Sequence, residues 1–216
     1  MASQGVKPAA QSRAIETRDK LVAALESLLK GKAFTDISVA EIAGEAGVAV
    51  GTVYRRFENK DAFIPVVFDL YRARVEAFAA SPDGRFEPDI DTGLRTALRE
   101  ITRRAWRFLG EDGHLVRAAH LHARLHPDLV GGEWEAMIET GVVSYGLLID
   151  AFETEVKRTD RDAAARFVFY TLNTLLTEYG LYPEDGPGAG LGGMSGPDFT
   201  DSVADAIYGY LVTPDA

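Results

Sequence analysis

The 216-residue chain contains no cysteine. That excludes disulfides, thiolate zinc sites and cysteine nucleophiles, and it fits a reducing compartment. Long apolar runs are missing too. No stretch suits a bilayer crossing, and the opening "MASQGVKPAAQSRAIETRDK" lacks the apolar core of a secretion signal, so a cytoplasmic location is expected. Strand-like alternation of apolar and polar residues is absent throughout. There is no His-Glu-x-x-His run, and no Ser-His-Asp order or carboxylate pair can be placed, so a non-enzyme with no cofactor is expected.

Basic residues are also in deficit, with 23 Lys/Arg against 33 Asp/Glu and a net charge of -10. The deficit is uneven. Residues 1–60 hold nine Lys/Arg and seven Asp/Glu, and residues 61–216 hold fourteen against twenty-six. A slightly basic head on an acidic body implies two jobs in two regions.

What is present is helical periodicity. Ile15, Leu21, Val22, Leu25, Leu28 and Leu29 form one apolar stripe, stopped by Gly31. "SVAE" from Ser38 to Glu41 is a capping box, and Gly47 suits the left-handed turn after the short helix it opens. A second short helix is expected from about Ala49 to Phe57, with Val53 and Phe57 facing inward. Asn59 can cap the next helix, which places Pro65 either inside it as a kink or in an irregular first turn. After the turn-rich "SPDGRFEPD", periodic stretches fall at about 90–109, 114–126, 131–157, 160–181 and 198–212. The spacing predicts an all-α fold of about nine helices: a mobile tail at 1–11, a three-helix helix-turn-helix domain at 12–58, and a helical domain at 59–216. "PEDGPGAGLGGMSGP" at 183–197 reads as a flexible loop, since no Lys-Ser/Thr pair or preceding strand makes it a phosphate loop.

Two short helices joined by a tight turn form a helix-turn-helix, whose second helix presents side chains to the major groove. The stretch "FTDISVAEIAGEAGVAVGTVYRRFENKDAF" resembles the TetR family of transcriptional regulators, over about Arg13 to Phe78. The resemblance implies DNA contacts from Thr52 and Tyr54 through their hydroxyls and from Lys60 at the start of the fourth helix. Arg55, with its planar fork, is the candidate reader of a guanine edge. Arg56 is left between a backbone contact and a surface ion pair. Gly51 permits close approach. Thr35 and Ser38 are further phosphate candidates, although capping suffices to explain Ser38. Val50 stands where many relatives carry a polar or basic residue, and it can pack on a thymine methyl or be silent.

For the body, the resemblance implies ligand binding and dimerisation. The natural pocket residues are Trp106, Phe108, Trp134, Met137, Tyr145 and Phe152, for a small, mostly apolar effector. Helices at about 160–181 and 198–212 would form the homodimer interface, the second through Phe199, Val203, Ile207, Tyr208 and Leu211. The whole then reads as a homodimeric repressor that a small molecule releases from a palindromic double-stranded DNA operator, with no membrane partner. Two other readings remain. His122 and His126, four apart and near His120, could bind a metal with Asp128 or Glu133 in a hydrolase, or the chain could be an architectural DNA-binding protein that needs no ligand.

Overall fold

A computed structural model describes residues 7–82, 84, 90–181 and 194–215. Of the tail and the glycine-rich loop read from sequence, residues 1–6 and 183–193 lie outside the described residues. The helix α1 (Lys7–Leu29) begins within the stretch read as tail. The described residues form nine α-helices and no strand. They divide into two compact units: the chain up to Leu70 with Ala118–Val130, and Tyr71–Arg117 with the chain from Gly131 onward.

The first unit is built on α1, whose Leu21, Leu25 and Leu29 recur every four residues and are buried. A single 3-10 turn, Phe34–Asp36, leads into α2 (Val39–Glu45). Gly47 has φ 66°, a left-handed value that costs a side-chain-bearing residue about 1–2 kcal/mol, and Val48 N–H donates to Ala43 O across the turn at 2.9 Å. The next helix, α3, covers only Val50–Tyr54, shorter than the expected 49–57. Its one buried residue, Val53, joins Ile42, Ala43 and Phe63 in the core of this unit, and the Phe57 ring stacks on Phe63 at 3.9 Å.

Pro65 takes the milder of its two alternatives. Asn59 Oδ1 accepts from Ala62 N–H, capping a 3-10 turn at Asp61–Phe63, and α4 (Ile64–Ala80) starts only then. Pro65 therefore lies in the first turn of α4, where a missing N–H leaves no helical bond unmade.

The helix α5 (Leu94–Leu125) is continuous over 32 residues, where the sequence suggested a break between 109 and 114. Gly110 and Gly113 each cost a helix about 1 kcal/mol relative to alanine. Buried Leu115 and Val116 just beyond them outweigh that. A four-residue α6 (Pro127–Val130) follows, then α7 (Glu133–Ala151), α8 (Arg161–Leu181) and α9 (Gly196–Val212). α7 stops at Ala151, short of the expected 157. Residues 152–157 turn instead, and Lys157 N–H donates to Leu211 O at 2.8 Å.

The second unit packs α5, α7, α8 and α9 around Leu94, Leu98, Ile149, Phe152, Val168, Leu172, Ile207 and Leu211. Gly141 admits the Phe169 ring so closely that an added Cβ would sit 2.2 Å from it. Guanidinium forks tie α5 to α9: Arg95 and Arg99 both grip Asp205, and Arg103 grips Asp201 with bonds of 3.0 and 2.8 Å. These pairings hold the Asp205 carboxyl far below the usual carboxylate range.

Phe152, 2% exposed, is central to this core. Phe152→Ala should destabilise the protein by about 3–5 kcal/mol in urea unfolding. A loss below about 1 kcal/mol would show that the ring is not part of the core.

Candidate nucleic-acid interface

The edge of α3 is fixed from below and open above. Val53 is fully buried, while Val50 and Tyr54 are 41% and 53% exposed. A Cβ added at Gly51 would meet nothing within 4 Å, so no contact inside the protein demands glycine there. Thr52 Oγ1 accepts a 2.9 Å bond from Arg55 Nη2, which orients that guanidinium and leaves the hydroxyl proton free to donate.

The flanking candidates are less free. Lys60 Nζ donates to Thr35 O at 2.7 Å and lies 5.0 Å from the centre of the Phe34 ring. It is thereby held in place with two ammonium protons to spare. Thr35 Oγ1 leans toward Asp36 at 3.3 Å. Ser38 is engaged on all sides: its Oγ accepts from Glu41 N–H, its hydroxyl and its backbone N–H both donate to Glu41 Oε2, and the capping box is complete. Lys32 pairs with the same carboxylate, and these bonds hold Glu41 down to about 2. Ser38 is thus a structural cap, and the structure gives its hydroxyl no spare role.

The short capped helix, the positive-φ glycine turn and the open-edged second helix match a known pattern. The family model described as bacterial regulatory proteins, tetR family, matches residues 21–66. Residues 21–66 thus match the family's DNA-binding region. Members of that family are DNA-binding transcriptional regulators and not enzymes. No curated protein matches this chain in sequence.

Solved structures share the fold over most of the chain. A TetR-like transcriptional regulator from Rhodococcus sp. RHA1 is 16% identical, with a TM-score of 0.61 over 90% of this chain and 95% of its own. The TetR family regulator PfmR from Thermus thermophilus is also 16% identical, with a TM-score of 0.61 over 87% and 96%. A TetR-family regulator from Mesorhizobium loti is 19% identical, with a TM-score of 0.62 over 91% and 96%.

The six aromatic and methionine candidates in the body do not gather into one cluster. Phe152 is core, with Trp106 and Tyr145 packed against the same cluster; Phe108, Trp134 and Met137 are half-buried outside it. Trp106 leans on Tyr179 at 5.3 Å, Tyr145 on Phe169 at 6.1 Å and Phe108 on Phe78 at 5.0 Å. Burial pushes the Tyr145 hydroxyl well above its ordinary range. Periodicity alone does not separate such rings from pocket walls.

Of the five α9 residues read as interface, Val203, Ile207 and Leu211 are at most 3% exposed and face the core of their own unit, so they are not free for a second chain, while Phe199 and Tyr208 are half-buried. On α8 and α7, Phe167, Tyr170, Leu175, Val143 and Leu147 are left exposed.

No group of three metal-capable side chains comes together among the described residues. His122 is buried edge-on to the Phe34 ring at 4.7 Å, with Nδ1 unpartnered, and the His126 ring stacks beside it at 6.2 Å. Burial, then His126 and Lys60, hold the His122 imidazole below its ordinary value. Burial, with repulsion from Arg124, holds His120 down to about 4.

That depression has a sign. The unfolded chain, with an imidazole near 6.5, binds the proton more tightly than the folded one, so stability is full above about pH 6.5 and falls as pH drops toward 4. His120 should contribute a loss of up to about 3 kcal/mol over that window. Urea unfolding at pH 7 and pH 4.5 checks this: His120→Phe should shrink the difference, and an undiminished difference would assign the loss to other groups.

Proposed function

We propose that the chain is a homodimeric repressor that reads a palindromic operator with α3 and is released by a small, mostly apolar molecule bound in its second unit. The observation that carries the DNA-reading part is the open edge of α3, where Val50, Thr52, Tyr54 and Arg55 surround a glycine that no internal contact explains. Val53 anchors the helix from the other side, so these side chains have no role in the core.

In this reading Thr52 and Tyr54 donate to phosphates, and Arg55 reads a guanine edge with the fork that Thr52 orients. Lys60 adds a phosphate contact with its spare protons, Thr35 lies beside it, and Val50 can meet a thymine methyl. The exposed apolar residues of α8 and α7 form the homodimer surface together with the half-buried Phe199 and Tyr208 of α9, the rest of that helix facing its own core. Two copies supply the two recognition helices that a palindrome needs, about one helical turn apart. Release requires the effector to bind the non-operator conformation more tightly than the operator-binding one, and that differential sets the size of the response. α4 and α5 both run from one unit into the other and supply the covalent path for such a shift.

Gly51→Ala separates folding from recognition. It should leave stability unchanged or raise it by up to about 1 kcal/mol, because alanine favours helix and meets open space. It should weaken DNA binding, because the new methyl stands where the duplex approaches. Unchanged affinity would remove Gly51 from the interface.

Selection of binding sites from fragmented genomic DNA by the purified protein tests the whole reading. One palindromic sequence should be enriched, and Arg55→Ala should relax its preference at one base position, costing about 1–3 kcal/mol there. Enrichment without symmetry would reject the dimeric operator. An equal loss on every sequence would make Arg55 a phosphate ligand.

A further inference from the structure

Two arginine-lined grooves of nearly equal size lie among the described residues, and they differ in what the arginines already hold. The groove on α5, about 440 Å³, is lined by Thr96, Arg99, Glu100, Arg103, Arg104 and Arg107. Its guanidiniums are occupied: Arg99 grips Asp205, Arg103 grips Asp201 and Arg104 pairs with Glu100. These arginines hold helices together and have little charge left to offer a ligand.

The other groove lies within the first unit, about 430 Å³, between α1 and α3. It is lined by Arg13, Ala14, Thr17, Thr52, Arg55 and Arg56, with no carboxylate among them. Positions 13 and 17 share one face of α1, as 52, 55 and 56 share one side of α3 and its C-terminal turn. Neither Arg13 nor Arg56 has a side-chain partner among the described residues, and Arg55 donates only to the neutral Thr52 hydroxyl. In a chain with ten more acids than bases, three arginines left without carboxylates in one groove call for an anion from outside.

The state of each hydroxyl narrows the ligand set. Thr17 donates its proton to Arg13 O at 2.7 Å, so it has none for an anion. Thr52 accepts from Arg55 and keeps its own proton. The donors on the groove with no partner yet are therefore Arg13, Arg56 and the Thr52 hydroxyl, while Arg55, held by one bond to Thr52, is left to the base edge.

We infer that this groove is a phosphodiester site, in which α1 and α3 together clasp one phosphate of the duplex through Arg13, Arg56 and Thr52. The inference rests on the DNA-reading role of α3 and extends it to α1, which then belongs to the interface and is not only a support behind it. A clasp of this kind fixes register without carrying sequence information. It gives α3 a lateral anchor beside the base-reading edge.

The test is the salt dependence of affinity for an enriched duplex and for a scrambled one, using the full-length chain. Arg13→Gln and Arg56→Gln should each weaken binding to both duplexes by a similar factor and lower the slope of log affinity against log salt by about one unit. Arg103→Gln, which removes the same formal charge from the paired groove, should leave the slope unchanged. Both sites are exposed, so thermal unfolding of the variants should match the wild type. Slopes unchanged in Arg13→Gln and Arg56→Gln, with wild-type binding intact, would overturn the clasp. An equal fall in Arg103→Gln would overturn it as well, by showing that the slope follows net charge and not a contact. Failure of the wild type to bind any duplex would instead bring down the DNA-reading role itself.

Discussion

A five-residue helix cannot hold itself. Nucleating a helical turn fixes several backbone angles for one hydrogen bond, and a segment as short as α3 has no room to recover that cost by propagation. Its existence depends on Val53, buried in the core of the first unit, and on the Gly47 turn that delivers the chain at the required angle. The capping box at Ser38 and Glu41 does the same for α2, satisfying donors at the start of a helix only seven residues long. With the fold of both helices secured by buried and capping groups, the outer edge of α3 is released from structural duty. Recognition residues can occupy it because nothing in the core requires them.

Charge follows the same division. In the second unit arginines are neutralised where they stand, by Asp201, Asp205, Glu100 and Glu139. In the first, Arg13 and Arg56 have no such neighbour. Net charge alone argues against a polyanion partner, yet what meets a duplex is the local pattern of unsatisfied guanidiniums, within a screening length of about 8 Å at physiological salt.

Much of this was legible in the sequence, and the exceptions have a common cause. The cap at Ser38, the Gly47 turn and the inward Val53 are local features, set by residues within three or four of each other. The break suggested near 110 does not occur, because the two glycines are outweighed by the burial of Leu115 and Val116, a tertiary effect. Helical spacing showed that Val203, Ile207 and Leu211 lie on one apolar face of α9 without showing that the face meets its own core. Phe152 was an aromatic residue in a candidate pocket list for the same reason. The groove beside Thr52 could not be read at all, since it brings together residues 13 and 56, whose proximity depends on how α1 packs on the helix-turn-helix.

The composition of the first unit bears on how the chain is made. The matched family region is contiguous, residues 21–66, but the compact unit also takes in Ala118–Val130, where His122 sits against Phe34. A ribosome delivers these pieces more than fifty residues apart. The first unit therefore has its full core only after most of α5 has left the exit tunnel. The first unit is not a cassette that can be finished first and joined later to an arbitrary body. Exchange of bodies between relatives would have to carry the end of α5 along with the head, or leave Phe34 without its cover.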